Sequence, residues 1–166
     1  MDKGNPSLDK RQLVREIIAQ LDAELALSAQ SARTAHAEAT DEQSKAENKY
    51  DTRGLEASYL AHGQSVKAAE TLQARQQFSE LDLRPYEKGE AIELAALVTL
   101  EGEDGAEIYF LGPRAGGIEV VLGKKTVLVI TPHSPFGRQL MGRKAGESLK
   151  IELARTTRTF RIAAVE

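Results

Sequence analysis

The spacing of apolar residues changes once along the chain, close to Pro85. Before that point, apolar positions recur at alternating intervals of four and three residues, which is typical of a helix that packs along one partner. After it, apolar and polar residues alternate with a period of two, as in half-buried strands. The sequence therefore predicts a helical part followed by a sheet.

The helical part contains two patterns of this kind. The first passes through Val14, Ile18, Leu21, Leu25, Ser28, Ala32, Ala35 and Ala39. The second passes through Leu55, Tyr59, His62, Val66, Ala69 and Gln73, and Leu72 and Phe78 close its far end. Because only a short polar segment separates them, they predict an N-terminal antiparallel α-helical coiled-coil hairpin.

The second part begins after Pro85 and Gly89 have interrupted the helical pattern. The residues from Ile92 to Leu100 alternate and predict a first strand, and five more short apolar segments follow it. Ser134 and Pro135 have the chemistry of an N-cap and a first helical position, so a short helix is expected among the strands. The predicted fold class is α+β, with a small antiparallel α+β domain after the hairpin.

The corresponding domain boundaries are the hairpin at residues 1–80, a linker at 81–90 and the C-terminal domain at 91–166. No apolar run is long enough to cross a membrane, and the first residues show no cleavage signature. A cytoplasmic protein without a membrane partner is therefore expected.

Composition excludes several classes of function. The chain has no cysteine, so it contains no disulfide, thiolate zinc site or thiol nucleophile. A net charge of −3 gives no support for sequence-specific DNA binding. The segments "GPRAGG" and "GKKT" lack the spacing of nucleotide-binding loops. We therefore expect no enzyme activity and no cofactor of the protein's own.

Two groups of charged residues remain as candidates. The acid-rich segment "ATDEQSKAENKYDTRG", positions 39 to 54, holds Asp41, Glu42 and Glu47 at the predicted helix turn. Its acids fit a solvated turn, a metal site, or a tip that reaches another protein's active site. Near the C-terminus, Arg138, Arg143 and Lys144 fit either ordinary solvated positions or a surface that docks on an acidic partner.

The stretch "SPFGRQLMGRKAGESLKIEL", positions 134–153, resembles the C-terminal signature of bacterial Gre-type transcription elongation factors, the GreA/GreB superfamily. The matching residues are Ser134, Pro135, Gly142, Arg143, Lys144, Gly146 and Glu147. The segment "AENKY" is similar to the acidic Glu-Asn tip of that family's coiled coil. The order of the parts also matches, and the resemblance implies an FKBP-like fold for the C-terminal domain.

The resemblance implies a function as well. Gre-type factors bind RNA polymerase with the globular domain and insert the coiled coil through the secondary channel. Their acidic tip helps to hold a second Mg²⁺ at the polymerase's catalytic centre, which favours hydrolysis of backtracked RNA. The implied partner is RNA polymerase, with indirect contact to nascent RNA, and any Mg²⁺ is shared with the polymerase.

By the same resemblance, the tip residues that serve catalysis and the metal are Asp41, Glu42 and Glu47. The partner-binding residues are Ser134, Pro135, Arg138, Arg143 and Lys144. One departure concerns the tip, because Ser44 stands three residues before Glu47, where cleaving members of the family have an aspartate.

Three alternatives to a cleavage-stimulating factor stay open. The hairpin could block the channel without chemistry, or serve as a coiled-coil adaptor without any polymerase function. A prolyl isomerase or chaperone is suggested only by the implied FKBP-like fold, and the aromatic content of 5% speaks against it.

Overall fold

The computed structural model describes residues 8–40, 53–153 and 156–166. Two long helices come first, α1 at Lys10–Thr40 and α2 at Arg53–Ser79. The chain divides into two compact units, of which one is Ala19–Gln76. The other joins the chain up to Ile18 with Gln77–Glu166, so the first turns of α1 group with the sheet.

Ion pairs between α1 and α2 show how the two helices run. Asp22 pairs with Arg75 at 2.8 Å, and Glu24, further along α1, pairs with Lys67, which comes earlier in α2, at 2.9 Å. The contacting residue in α2 comes earlier in the chain as its partner in α1 comes later. This order requires that the two helices run antiparallel. The predicted antiparallel hairpin is therefore confirmed for this part of the chain.

The buried face in the first half of α1 lies close to the predicted one, whereas Ala32 and Ala35 of the predicted seam are exposed. Val14 and Leu21 are buried as expected, and Leu25 is half-buried. Leu13 and Ile17 are also buried, so the face is broader than the predicted seam and is centred nearer Ile17 than Ile18.

The buried face of α2 differs from the prediction. Thr71, Ala74 and Phe78 are buried, whereas Tyr59 is 70% and Val66 46% exposed. At about 100° per residue the centres of the two sets lie roughly 100° apart around the helix, so they belong to different faces. Both sets follow similar spacing. Tyr59 and Val66 dominate the apolar pattern of the sequence, whereas the buried face joins Phe78 to the small residues Thr71 and Ala74. The predicted seam of α2 is wrong. Of the two residues predicted to close its far end, Phe78 is buried, whereas Leu72 is 57% exposed.

Six strands form one sheet in the second unit. They are β1 at Leu97–Gly102, β2 at Gly105–Leu111, β3 at Glu119–Leu122, β4 at Lys125–Ile130, β5 at Ser148–Leu153 and β6 at Thr156–Val165. A short helix, α3 at Pro135–Leu140, lies between β4 and β5 in the chain. The α+β prediction is confirmed.

The sheet is mixed, which corrects the prediction of an antiparallel sheet. Its order is β3-β4-β2-β1-β6-β5, and β2 pairs with β4 in parallel, while the other neighbours are antiparallel. The reason is topological. The chain reverses before β3 and again before β4, and it is β4 that hydrogen-bonds to β2, so their directions coincide.

The first strand also begins later than the alternation predicts. Leu94 and Ala95 form a turn, and Ala95 has a φ of 66°, in the left-handed region that extended strands do not use. Ala95 N–H nevertheless donates to the Leu111 carbonyl at 2.8 Å, which fixes this turn against the end of β2. β1 therefore starts at Leu97 instead of Ile92.

The sheet is buried on both faces. One face carries Val98, Leu100, Phe160 and Ile162 in a cluster that also includes Leu140 of α3. The other face includes Phe110 and Val129. Among the described residues, no helix combines the length and the apolar character needed to cross a membrane.

Phe78 packs where the sheet leaves no spare room. A Cβ atom added at Gly112 would come within 2.8 Å of Phe78 Cζ and 2.9 Å of Val129 Cγ1. Phe78 itself is 1% exposed. The glycine thus lets the aromatic ring approach the backbone at the end of β2.

We expect Phe78→Ala to lower the free energy of unfolding by about 3–5 kcal/mol, because it empties a filled site in the core. Leu72→Ala, six residues earlier on the same helix, should change it by less than about 0.5 kcal/mol because Leu72 is exposed. Urea unfolding of both variants measures the difference. Equal losses would contradict the buried face assigned to α2.

Candidate docking surface at the C-terminal motif

Ser134 fixes the start of α3. Its backbone N–H and its hydroxyl both donate to the Thr131 carbonyl, at 3.1 Å and 2.8 Å. The same hydroxyl oxygen accepts from Gly137 N–H at 2.9 Å, and Pro135 occupies the first helical position. The predicted cap is confirmed, and it satisfies a helix N–H that would otherwise lack a partner.

Glycine is required at position 137 because a side chain there would collide with the backbone, and not because of its φ angle. A Cβ atom there would lie 1.9 Å from the Thr131 carbonyl oxygen, far inside any allowed contact. The small residue therefore lets α3 pack directly against the backbone that leaves β4. The turn closes in this way only because residue 137 has no side chain.

The end of α3 is bonded to the segment that precedes β1. Gly142 N–H donates to the Ile92 carbonyl at 2.9 Å, and Ile92 N–H donates to the Arg143 carbonyl at 2.7 Å. Gly142 has a φ of 79°, which favours glycine. Leu140 is fully buried just before this exchange. The turn that carries Arg143 and Lys144 is therefore fixed by two hydrogen bonds to Ile92.

Glu147 organises the basic residues of the turn. One of its carboxylate oxygens accepts from Lys144 N–H at 2.9 Å, and the other pairs with the Arg143 guanidinium at 3.1 Å. Arg143 is thus partly neutralised. Arg138 and Lys144 are exposed, and within the described ranges neither side chain makes an ion pair. These two residues supply the outward positive charge.

An apolar pocket lies beside the cap. Its volume is about 760 Å³, and its walls include Tyr109, Leu128, Ile130, Pro135 and Phe136, with no charged side chain among the lining residues. The rings of Tyr109 and Phe136 lie 4.7 Å apart at 60°, a tilted contact that fixes both of them. We call this the α3 pocket.

The hydroxyl group of Tyr109 has a hydrogen-bond partner that does not line the α3 pocket. Its hydroxyl donates to Glu107, and Glu107 pairs with Arg158 at 2.8 Å. Burial raises the pKa of Tyr109 well above its ordinary value, and the hydrogen bond to Glu107 adds to the increase. The phenol therefore stays a neutral donor at physiological pH. Arg158 also pairs with Asp104 at 3.1 Å.

The predicted tip acids Asp41, Glu42 and Glu47 lie outside the described residues. Within those residues no group of three or more carboxylate or imidazole side chains could hold a metal ion. Of the predicted docking residues, the structure brings Ser134, Pro135 and Arg138 together on α3, and Lys144 follows in the bonded turn.

Sequence reasoning missed two parts of this surface. The α3 pocket draws its walls from β2, β4 and the loops beside them, so no local motif marks it. The role of Glu147 had only a partial signal. The acid stands four residues after Arg143, with which it pairs, but its bond to the Lys144 N–H depends on the turn.

Comparisons with known proteins gave matches to solved structures only. Neither a family model nor a curated protein matches the sequence. The GreA factor homolog 1 (Gfh1) of Thermus thermophilus is 20% identical, covers 92% of this chain and 94% of its own, and has a TM-score of 0.37. Gfh1 of Thermus aquaticus is 21% identical, with 89% and 92% covered and the same TM-score.

A third structure, the transcription elongation factor GreA/GreB from Nitrosomonas europaea, is 17% identical. It covers 70% of this chain and 94% of its own, with a TM-score of 0.32. Two of the three are GreA factor homologs, and the third is a GreA/GreB elongation factor. At these identities and TM-scores, the likenesses by themselves assign no function.

Two helical glycines allow a matched test of the motif. Gly137→Ala should lower the free energy of unfolding by about 3 kcal/mol, since its Cβ would meet backbone that cannot yield. Gly63→Ala, in α2, has nothing within 4 Å of the added Cβ and should raise it by about 1 kcal/mol. Thermal unfolding compares the two. A tolerated Gly137→Ala would show that the turn closes differently.

Proposed function

We propose that the protein is an RNA polymerase accessory factor of the Gre type, which binds the enzyme through α3 and the turn after it and regulates transcription elongation. The observation that carries the proposal is the motif itself. Its Ser-Pro, Arg-Lys and Gly-Glu positions are the counterparts of the family's signature, and they build one hydrogen-bonded turn. This turn presents Arg138 and Lys144 outward.

The helical hairpin supports the same proposal. α1 has 31 residues, which at about 1.5 Å per residue corresponds to roughly 46 Å of helix. Toward its far end, α1 contains many alanines and few large apolar side chains. A long pair of helices with little apolar bulk suits insertion into a channel better than it suits a core.

A more specific part of the proposal is that the factor stimulates transcript cleavage by the polymerase. Asp41, Glu42 and Glu47 would contribute carboxylates to a Mg²⁺ ion at the polymerase's catalytic centre. Mg²⁺ binds through one or two carboxylates together with phosphate oxygens and water, so a tip need not form a complete site alone. A second metal stabilises the attacking and leaving oxygens of a phosphoryl displacement. Ser44, where cleaving members have aspartate, favours weak cleavage or none.

A coiled-coil adaptor is the second candidate, and one observation favours it. The face of α2 that carries Tyr59 and Val66 is exposed and follows the spacing of a helix-packing seam. Such a face can pack on a partner helix. Sedimentation of the purified chain tests its self-associating form, which predicts a mass that rises with concentration.

The docking prediction concerns the outward cations. Replacing both Arg138 and Lys144 by alanine should weaken binding to bacterial core RNA polymerase by roughly tenfold, because each exposed charge pair is worth about 0.2–1 kcal/mol. The loss should shrink as salt is raised. Fluorescence anisotropy of the labelled chain measures the affinity.

The control for that experiment removes the same charge elsewhere. Lys88 and Lys124 are exposed and lie outside the motif, so their double alanine variant should bind as the unsubstituted chain does. Equal weakening by both double variants would indicate a general charge effect. Arg143→Ala alone should cost less than Lys144→Ala, since Glu147 already neutralises part of the arginine charge.

The cleavage prediction uses a backtracked elongation complex with labelled RNA and Mg²⁺. If the acids supply metal ligands, alanine at Asp41, Glu42 or Glu47 should reduce transcript shortening at least about tenfold, the effect of losing roughly 1.4 kcal/mol of transition-state stabilisation. Shortening that persists in all three variants would refute the tip role. No shortening, combined with exclusion of an active cleavage factor, would identify a channel-blocking regulator.

A further inference from the structure

The strand β3 lies at one edge of the sheet, and among the strands that the structure describes it has a neighbour on one side only. Its first residue, Glu119, is charged, and the three that follow are apolar. The strand at the other edge, β5, carries the exposed Lys150 near its middle. Natural sheets protect their edges with such lysines, because an open edge pairs readily with other strands. Beyond Glu119, β3 has no such protection.

The hairpin that joins β3 to β4 fixes which backbone groups of β3 bond within the sheet. Its loop consists of Gly123 and Lys124, and Leu122 pairs with Lys125 across it. Gly123 has a φ of 62°, as expected at the first loop position of a tight two-residue hairpin. The pair that closes such a loop is hydrogen-bonded, so Leu122 directs its N–H and C=O toward β4.

The remaining groups of β3 follow by alternation along the strand. Hydrogen-bonded and non-hydrogen-bonded pairs alternate in an antiparallel ladder, so Val120 also faces β4 and Val121 directs its N–H and C=O to the open edge. A bond further along agrees with this order, since Val129 N–H donates to the Ile118 carbonyl at 2.8 Å. Val121 is therefore the residue that offers an outward donor and acceptor at the middle of the edge.

The side chain of Val121 is exposed at the same point. It is 68% exposed, whereas its neighbour Val120 is 2% exposed. The two ends of the edge leave room for an approaching strand, because a Cβ atom added at Gly117 or at Gly123 would have no atom within 4 Å. A strand that paired here would cover an exposed apolar side chain and satisfy outward backbone groups together.

We propose that β3 pairs antiparallel with β3 of a second copy of this chain, about a two-fold axis at Val121. In this register the Val121 N–H of each copy donates to the Val121 carbonyl of the other. The two Val121 side chains then meet on one face of the joined sheets, and Val120 of each copy meets Leu122 of the other on the opposite face. All of these cross-strand pairs are apolar, so the edge is complementary to itself.

The position of the axis follows from the one charged residue of the strand. An axis at Val120 would place each Val121 opposite the charged Glu119 of the other copy. An axis at Val121 places Glu119 opposite Gly123, which has no side chain, and brings the most exposed apolar groups together. Because the apolar pattern repeats itself on both sides of this axis, a second copy fits the edge better than an unrelated strand does.

The size of the contact sets the strength of the association. Four residues from each strand form an interface well below about 1,200 Å², the range of weak and transient complexes. We therefore expect a dimer that dissociates on dilution and is measurable at roughly 0.1 mM chain. The inference does not depend on polymerase binding, and failure of the proposed function would leave it standing.

A charge exchange at the axis tests the pairing. Val121→Glu and Val121→Lys each place two like charges opposite one another, so each variant alone should associate at least about fivefold more weakly than the unsubstituted chain. An equimolar mixture of the two should regain association, because glutamate then faces lysine. Sedimentation equilibrium of the two variants, their mixture and the unsubstituted chain measures the effect.

Each alternative outcome contradicts a defined part of the inference. Association that persists in both separate variants would overturn the edge pairing and would favour the exposed face of α2. A mixture that associates no better than its components would overturn the axis at Val121, and an unsubstituted chain that stays monomeric would overturn the dimer. Since Val121 is exposed, both variants should unfold thermally within about 3 °C of the unsubstituted chain, which checks that they fold.

Hydrogen exchange locates the contact without a substitution. As the concentration of ¹⁵N-labelled chain is raised, exchange of the Val121 amide should slow, because its N–H becomes bonded to the second copy. The amide of Lys150, on the opposite edge, should exchange at an unchanged rate. Slowing at Lys150 without slowing at Val121 would assign the contact to β5 and overturn the inference.

Discussion

The carbonyl oxygen of Thr131 is the acceptor on which the C-terminal surface depends. It takes hydrogen bonds from both the N–H and the hydroxyl of Ser134, and it lies where any side chain at residue 137 would collide with it. These contacts set the direction in which α3 leaves β4. The direction in turn places Phe136 against Tyr109, buries Leu140 and leaves Arg138 outside.

A rigid turn matters because exposed charges contribute little when their side chains are free to move. Holding a long cationic side chain in one geometry costs conformational entropy, which reduces the value of a surface ion pair. The backbone of Lys144 is fixed by the Glu147 carboxylate, and that of Arg143 by Ile92. The structure therefore fixes the backbone of both residues in advance, and only the outer side-chain torsions remain to be ordered on binding.

The parts of the fold that follow local rules could be predicted from sequence. Three such features depend on residues close together in the chain: the cap at Ser134 and Pro135, the first half of the α1 seam, and the presence of six strands. The parallel pairing of β2 with β4 and the α3 pocket depend on which distant segments become neighbours, and periodicity does not encode that choice. The prediction of the buried face of α2 was wrong for a related reason. Tyr59 and Val66 give the stronger apolar signal, whereas the buried face includes Thr71 and Ala74, whose small size permits close approach.

Docking and cleavage place different demands on the sequence, so one can persist while the other changes. A docking surface needs cations in a fixed turn, and modest changes in charge alter its affinity gradually. Metal-assisted hydrolysis needs carboxylates at the correct spacing, because Mg²⁺ demands near-octahedral geometry. In this chain the residues of the proposed docking motif form one hydrogen-bonded turn, whereas Ser44 stands where the proposed cleavage role calls for an acid. Within the proposed function, this combination favours a factor that acts by occupying the polymerase's channel over one that stimulates cleavage.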